Sequence, residues 1–370
     1  MPRLADPPRG VQPDIPLAPS TTLGVGGSAR WFLRATSAEE VASAYAWCRD
    51  RDVAFTVIGG GSNLVVADSG IDGLVVQIAI GGIDISERGK TTVVRAGAGE
   101  VWDTVVAAAT GRGAQGLECL SGIPGTVGGT PVQNVGAYGQ EVADSISEVT
   151  VLDCDSGEMG SLRGSECAFG YRTSRFKAGD AGRFVVCGVT YELTDRQPTV
   201  TYPDLIRVLE RQGIRAPAVA DVRAAVLSIR RSKGMVVDAT DPDTRSVGSF
   251  FMNPIVDASH HARMASAAGH APGYSMADGR TKVPAAWLIE RSGFSKGYGA
   301  GPAGLSSKHP LAIVNRGGAT ARDVVGLARH IQQQVADRFD VWLKPEPTFI
   351  GFGDDDLVRN LVRANVDSVD

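Results

Sequence analysis

The chain has no long hydrophobic run. Its apolar stretches, such as VAFTVIGG at 53–60 and FVVCGVTYEL at 184–193, are cut by polar residues or glycine well short of the roughly 20 residues that a membrane helix requires. Residues 1–16, MPRLADPPRGVQPDIP, lack the apolar centre of a signal peptide and read as a proline-rich flexible tail. A cytoplasmic protein with no membrane span is the expectation. Charge of one sign is equally scarce. Lysine and arginine total 37 against 41 aspartate and glutamate, a net charge of 37 − 41 = −4. That excludes a global attraction to nucleic acid or anionic membrane, while leaving room for a local basic pocket that holds an anionic ligand. Cysteine is sparse and scattered, at 48, 119, 154, 167 and 187, with no CxxC pattern, so neither a disulfide framework nor a zinc site is indicated. Buried thiols are expected, and no metal. His260 and His261 are adjacent, so they do not share a helix face, and no third ligand accompanies them.

What the chain does have is glycine, 46 of 370 residues beside 19 prolines, which is too many for a helical bundle and follows no collagen period. The length implies two or three domains. Ser37 and Glu40 offer a capping box for a helix over 38–50, and Val41, Tyr45 and Cys48 give it an apolar stripe. Strands are expected at 53–58, Leu64–Ala67, Leu74–Ile78 and 91–96, with a helix at 100–111. Residues 116–139 are rich in turn formers. The β-like runs VTVLDC and FVVCGVTYEL flank a polar loop, FGYRTSRFK. Residues 203–231 read as two helices, and the acidic stretch at 235–247 as a boundary. Further helices fall at Pro284–Arg291 and after Thr320, which caps with Asp323. The run 341–351 resembles a last strand, and 352–370 is polar enough to fray. No internal repeat is evident.

Two glycine-rich segments stand out. Gly59-Gly60-Gly61-Ser62-Asn63 lacks the lysine and hydroxyl that end a P-loop and the spacing of GxGxxG, so neither ATP hydrolysis nor a standard dinucleotide crevice is signalled. Exposed amides there can form a nest for an anionic diphosphate, or the run is a plain tight turn. The second segment includes Gly122, Gly125, Thr126, Gly128 and Gly129, followed by Asn134, Gly136 and Ala137. Small residues beside amides suit backbone that passes against a planar ring. Together the two loops can clasp one cofactor.

Seven motifs in a fixed order carry a family resemblance: GGGSN at 59–63, GLECLSGIPGTVGGTPVQNVGAYG at 116–139, FGYRTSRFK at 169–177, RRSK at 230–233, GSFFMNP at 248–254, PAAWLIE at 284–290 and KPEPTFIG at 344–351. Over almost its whole length the chain resembles the UDP-N-acetylenolpyruvoylglucosamine reductases, also called UDP-N-acetylmuramate dehydrogenases, of peptidoglycan precursor synthesis. The resemblance implies an α+β flavoenzyme of three domains. A vanillyl-alcohol-oxidase-like (PCMH-type) FAD-binding region would comprise a first subdomain at 17–80, completed by 341–370, and a second at 81–235. A C-terminal α/β substrate domain would span 236–340. It also implies noncovalent FAD, reduction by NADPH, and UDP-N-acetylglucosamine enolpyruvate as substrate. No flavin-attachment motif stands out, and with no coiled coil or interface repeat a monomer is expected.

The resemblance assigns Arg172, Ser249 and Glu346 to catalysis, and Tyr171, Tyr202, Lys233 and Asn253 to the substrate. Arg172 would hold the substrate carboxylate and favour an enolate-like intermediate, with Glu346 orienting the site or sharing a proton with the developing enol. Ser249 would protonate the carbon beside the carboxylate. The segment Thr201–Leu205 looks like a loop of one subclass of the family, whereas Ser307-Lys308-His309 looks like the other. A flavin oxidase and a noncatalytic nucleotide-sugar binder are the competing classes. The joint presence of Tyr171, Arg172, Ser249 and Glu346 argues against both.

Overall fold

The computed structural model describes residues 7–363, and these form two compact units. The larger takes in Ala29–Gly61 and Ile71–Val236; the smaller takes in Pro16–Ser28, Ser62–Gly70 and the chain from Val237 onward. The larger unit is built on two sheets of four and five strands. In the first, Ile71–Ile78 runs parallel to both Ser28–Ala35 and Phe55–Ile58, and Gln12–Pro16 forms an edge. A tail was expected over 1–16, so this strand is a departure from the sequence reading; residues 1–6 lie outside the described residues. The second sheet is antiparallel, in the order Glu158–Arg163, Ile146–Asp153, Phe184–Thr194, Thr91–Gly97, Ile83–Arg88. Parallel and antiparallel strands with intervening helices make this α+β.

One apolar core serves both sheets. Val41, Ala44, Trp47 and Cys48 of the helix Ala38–Arg49 and Trp102, Val105 and Val106 of the helix Trp102–Thr110 join Val94, Val149 and Tyr191. Ser37 accepts from the Glu40 amide at 3.3 Å, the expected half of a capping box. The other half shifts by one residue: the Glu40 carboxylate takes the Thr36 amide at 2.6 Å. A satellite cluster of Leu205, Leu209, Val222, Val226, Ile229 and Cys119 packs the helices Pro203–Arg211 and Val219–Ser232 onto the 118–120 turn. All five cysteines are free and buried, and burial pushes the Cys119 thiol up to about 12 and the others to about 11.

In the smaller unit the 19-residue helix Ala321–Phe339 carries the core, burying Val324, Val325, Ala328, Ile331 and Val335. The strand expected over 341–351 is only Thr348–Ile350, because prolines at 345 and 347 deny ladder donors before it. It pairs parallel with Leu64–Val66, and this pairing groups both segments with the smaller unit. Nor does the chain fray at 352. A helix spans Asp356–Arg363, and the fully buried Gln332 amide donates to Leu343 O at 2.8 Å and Leu361 O at 2.9 Å. Residues 364–370 lie outside the described residues. Among the described residues no helix is long and apolar enough to cross a membrane.

The Ala321–Phe339 helix has both arms of its cap: Asp323 N donates to Thr320 Oγ1 at 3.1 Å and Thr320 N to Asp323 Oδ2 at 2.9 Å. Thr320→Ala should lower the unfolding free energy by about 1 kcal/mol in a urea titration.

Candidate functional site

The strand Phe55–Ile58 delivers Gly59 and Gly60 directly onto the second glycine segment. A Cβ on Gly60 would lie 2.8 Å from Gly125 Cα, and one on Gly59 would lie 2.7 Å from Thr126 Oγ1. Only glycine allows that backbone approach. The partner loop is pinned from the other side, with Trp102 N donating to Gly125 O at 3.0 Å, Val127 N to Glu100 O at 2.9 Å and Gly128 N to Ala98 O at 2.8 Å. Gly129 faces open space, with nothing within 4 Å of a Cβ built there among the described residues. Thr126 Oγ1 is buried and finds no hydrogen-bond partner among the described residues. A buried hydroxyl left in that state costs about 1–3 kcal/mol unless a ligand supplies the partner.

Gly136–Ala137 pairs with Gln140–Glu141 in a two-residue ladder. Asn134 is buried, and its side-chain nitrogen and oxygen both bond within the chain. It donates to Glu141 Oε2 at 2.7 Å and Gly170 O at 3.1 Å, and accepts from Ala143 N at 3.1 Å. Its work is to hold the loop. Arg172 reaches the same loop, donating to Gly136 O at 2.6 Å, with its guanidinium 5.5 Å from the Tyr171 ring centroid. Tyr171 and Arg172 form the tip of a turn closed by Gly170 N to Thr173 O at 3.0 Å, and Arg172 has φ 55°. A left-handed arginine costs on the order of 1 kcal/mol against glycine, a local strain typical of functional turns.

Tyr202 is the residue preceding the helix Pro203–Arg211, where it packs edge-on to Tyr138 at 5.2 Å. Lys233 caps the end of Val219–Ser232 and sits 3.4 Å from Asp204. Burial works to raise the Asp204 carboxyl, but Arg207 and Lys233 outweigh it and leave its pKa below the ordinary value. Asp204, Arg207, Arg211, Ser232 and Lys233 line an open groove of about 900 Å³.

In the smaller unit, Gly248–Asn253 and 344–346 run side by side. Met252 N donates to Lys344 O and Glu346 N to Phe250 O, both at 2.9 Å, with Phe251 bridged to Pro345. Ser249 and Glu346 therefore lie on neighbouring extended segments, both half-buried. Asn63 is tied to the same place: its Nδ2 donates to Glu346 O at 3.3 Å and its carbonyl accepts from Thr348 N at 3.0 Å. Ser62 precedes it at the junction from which the GGGSN run enters this unit. Asn253 Oδ1 accepts from Ala285 N at 2.9 Å and so caps the helix Ala285–Arg291.

Two charged residues, Asp103 and Arg223, escaped the motif reading, and Arg230 of the RRSK run was given no role by it. Asp103 accepts from Gly122 N at 2.6 Å and from both Arg223 terminal nitrogens at 2.7 and 2.9 Å. Arg230 is 7% exposed and lies behind the same turn. The pair Asp103–Arg223 is 120 residues apart, so no local pattern could reveal it. Gly122 has φ 70°, and the Asp103 clamp holds that left-handed turn in place. Burial alone would raise the Asp103 carboxyl; Arg223 and the Gly122 amide outweigh it and hold it below the usual carboxylate range.

Two outcomes are expected. Gly60→Ala forces the glycine loops apart and should weaken FAD binding at least tenfold, about 1.4 kcal/mol, as read from flavin absorbance relative to protein after gel filtration. The Asp103 pKa is lower folded than unfolded, so its stabilisation is complete above the unfolded value. The stability gap between wild type and Asp103→Asn should be constant above about pH 4 and close as acid passes the lower folded-state pKa, as followed by urea titrations across pH.

Residues 29–162 match the family model for an FAD binding domain, and 241–350 match that for the UDP-N-acetylenolpyruvoylglucosamine reductase C-terminal domain. The chain is 49% identical over 352 residues to UDP-N-acetylenolpyruvoylglucosamine reductase from Thermobifida fusca, covering 91% of this chain and 97% of that one. It is 48% identical over 357 residues to the protein of that name from Mycobacterium tuberculosis, covering 91% and 94%. The crystal structure of UDP-N-acetylenolpyruvylglucosamine reductase from Thermus caldophilus aligns with a TM-score of 0.63 at 28% identity, over 92% of this chain and 98% of that one. The α+β class, the FAD-binding region and the resemblance carried by the seven motifs all hold. By identity and coverage together, this chain belongs to the UDP-N-acetylenolpyruvoylglucosamine reductase family.

Proposed function

We propose that the chain is an NADPH-dependent reductase that converts UDP-N-acetylglucosamine enolpyruvate to UDP-N-acetylmuramate in the cytoplasm. The observation that carries this is the double glycine loop, in which Gly59 and Gly60 pack on Gly125 and Thr126 around a buried hydroxyl that lacks a partner among the described residues. That donor set fits FAD: a hydroxyl and loop amides suit phosphate or ring-edge acceptors, and small residues let a flat ring approach. Held by the Gly59–Gly60 and Gly125–Thr126 loops, FAD would supply the hydride, with NADPH as its source.

The chain's own residues do the rest. Arg172 presents a planar fork suited to the substrate carboxylate and to the negative charge that grows on it. Its left-handed turn and its bond to Gly136 O keep the fork at the edge of the cofactor loop. Ser249, on the segment beside Glu346, delivers a proton to the carbon next to the carboxylate. Glu346 is held by backbone bonds to Phe250 and Asn63 and orients that region. Lys233 serves the UDP diphosphate as a point charge. Its bond to Asp204 is long and a third exposed, so it can turn to a phosphate at little cost. Asn253 and Tyr202 complete the diphosphate contacts, and the chain acts as a monomer.

Ser249→Ala tests the proton role. Flavin reduction by NADPH should proceed at the wild-type rate, while reoxidation by the enolpyruvyl substrate slows by at least about a hundredfold in stopped flow. Equal reoxidation rates would remove Ser249 from the chemistry. A purified wild-type chain without flavin colour would instead point to a nucleotide-sugar binder.

A further inference from the structure

The groove between the helices Pro203–Arg211 and Val219–Ser232 carries more positive charge than the roles above use. It lies wholly within the larger unit. Asp204, Arg207, Val208 and Arg211 follow an i, i+3, i+4, i+7 spacing, so one stripe of the first helix forms one wall. Across from it the second helix offers Ile229, Ser232 and, just past its end, Lys233, but no carboxylate. Glu210 also lines the groove but lies off the stripe.

The cations there are loosely engaged. Asp204 alone serves both Arg207 and Lys233, whose side chains are 68% and 32% exposed, and such partly solvated pairs exchange partners at little cost. Arg211 donates from Nε to Arg207 O at 3.2 Å, and its terminal nitrogens have no partner among the described residues. Arg207 and Arg211 are four residues apart on one helix face, an arrangement in which like charges repel. The cations also form a track. Lys233 stands at Asp204, while at helical rise Arg207 lies about 4.5 Å and Arg211 about 10.5 Å further along the axis. Val208 and the buried Ile229 add apolar surface beside that track.

A UDP-sugar offers such a track one diphosphate, and the ribose beyond it bears only hydroxyls. NADPH offers a diphosphate and, across the adenosine ribose, a separate 2′-phosphate; NADH has a hydroxyl in its place. The guanidinium fork matches a phosphate, and arginine is the side chain that accommodates a 2′-phosphate where NADP is bound. We infer that Arg207 and Arg211 bind the 2′-phosphate of NADPH, with Lys233 at the diphosphate, and so select NADPH over NADH. This rests on the NADPH-dependent reading proposed above. The diphosphate shared by NADPH, NADH and the UDP-sugar is the other source of the same chemistry, and the test separates the two.

The test uses the FAD-loaded wild type, Arg211→Gln, and the double variant Arg207→Gln with Arg211→Gln. Anaerobic stopped flow follows flavin reduction by NADPH and by NADH, giving a Kd and a limiting rate for each, and then reoxidation by the enolpyruvyl UDP-sugar. The wild type should prefer NADPH. Arg211→Gln should raise the NADPH Kd about tenfold and the double variant about a hundredfold, with the limiting reduction rate unchanged. The Kd values for NADH and for the UDP-sugar should stay at wild type. Adenosine 2′-monophosphate should compete with NADPH in the wild type and lose that effect in the double variant. A rise shared equally by NADPH, NADH and the UDP-sugar would assign the arginines to the diphosphate and overturn the inference. An unchanged NADPH Kd in Arg211→Gln and the double variant would overturn it too; should the double variant fail to fold, the single one decides. A wild type reduced equally well by NADPH and NADH would overturn it while leaving the reductase reading intact. A flavin that neither dinucleotide reduced would overturn both.

Discussion

The packing of Gly59 and Gly60 against Gly125 and Thr126 is the constraint on which the larger unit's site depends. Segments more than 60 positions apart meet at a separation that no side chain would permit, so each loop fixes the other. Everything near the loops is arranged to keep that approach intact. Trp102, Val127 and Gly128 anchor the second loop through backbone bonds, Asp103 and Arg223 clamp its first turn, and Asn134 ties down its far end. The two-sheet core behind them, with Trp47, Trp102 and Tyr191, supplies a rigid backing of the kind that precise ligand geometry requires.

Electrostatics follow the same plan. The charges nearest the glycine loops are held in buried or half-buried positions with defined partners, whereas pairs such as Arg30–Asp72 and Arg95–Asp84 lie out in solvent, where they contribute little. A net charge of −4 therefore says little about the site, because the charges near the loops are settled pair by pair. The distribution matters more than the total.

Much of this was legible in the sequence because it is written locally. The helix Ala38–Arg49 announces itself by Ser37 and by apolar spacing, and Ala321–Phe339 by Thr320, Asp323 and a continuous stripe. The glycine runs and the FGYR, GSFF and KPEP motifs marked the site because each is contiguous. What was hidden depends on distance along the chain. The edge strand Glu158–Arg163, with sequence EMGSLR, has almost no β character and exists because Ile146–Asp153 offers it a ladder. Gln12–Pro16 looks like a tail until it meets Ser28–Ala35. The polar segment after 352 becomes helical because Leu361 is buried and its carbonyl meets Gln332. Asp103 and Arg223 carry no motif at all, and only the folded chain gathers them with Arg230 of the RRSK run at one turn.

The left-handed conformation of Arg172 has an implication for how this protein can change. Glycine or asparagine at 172 would relax the backbone and would be favoured by any selection for heat resistance alone. Either would also delete the guanidinium that reaches Gly136. Thermal hardening and retention of chemistry thus pull in opposite directions at this position, so a laboratory lineage evolved only for heat tolerance would be expected to lose its arginine there.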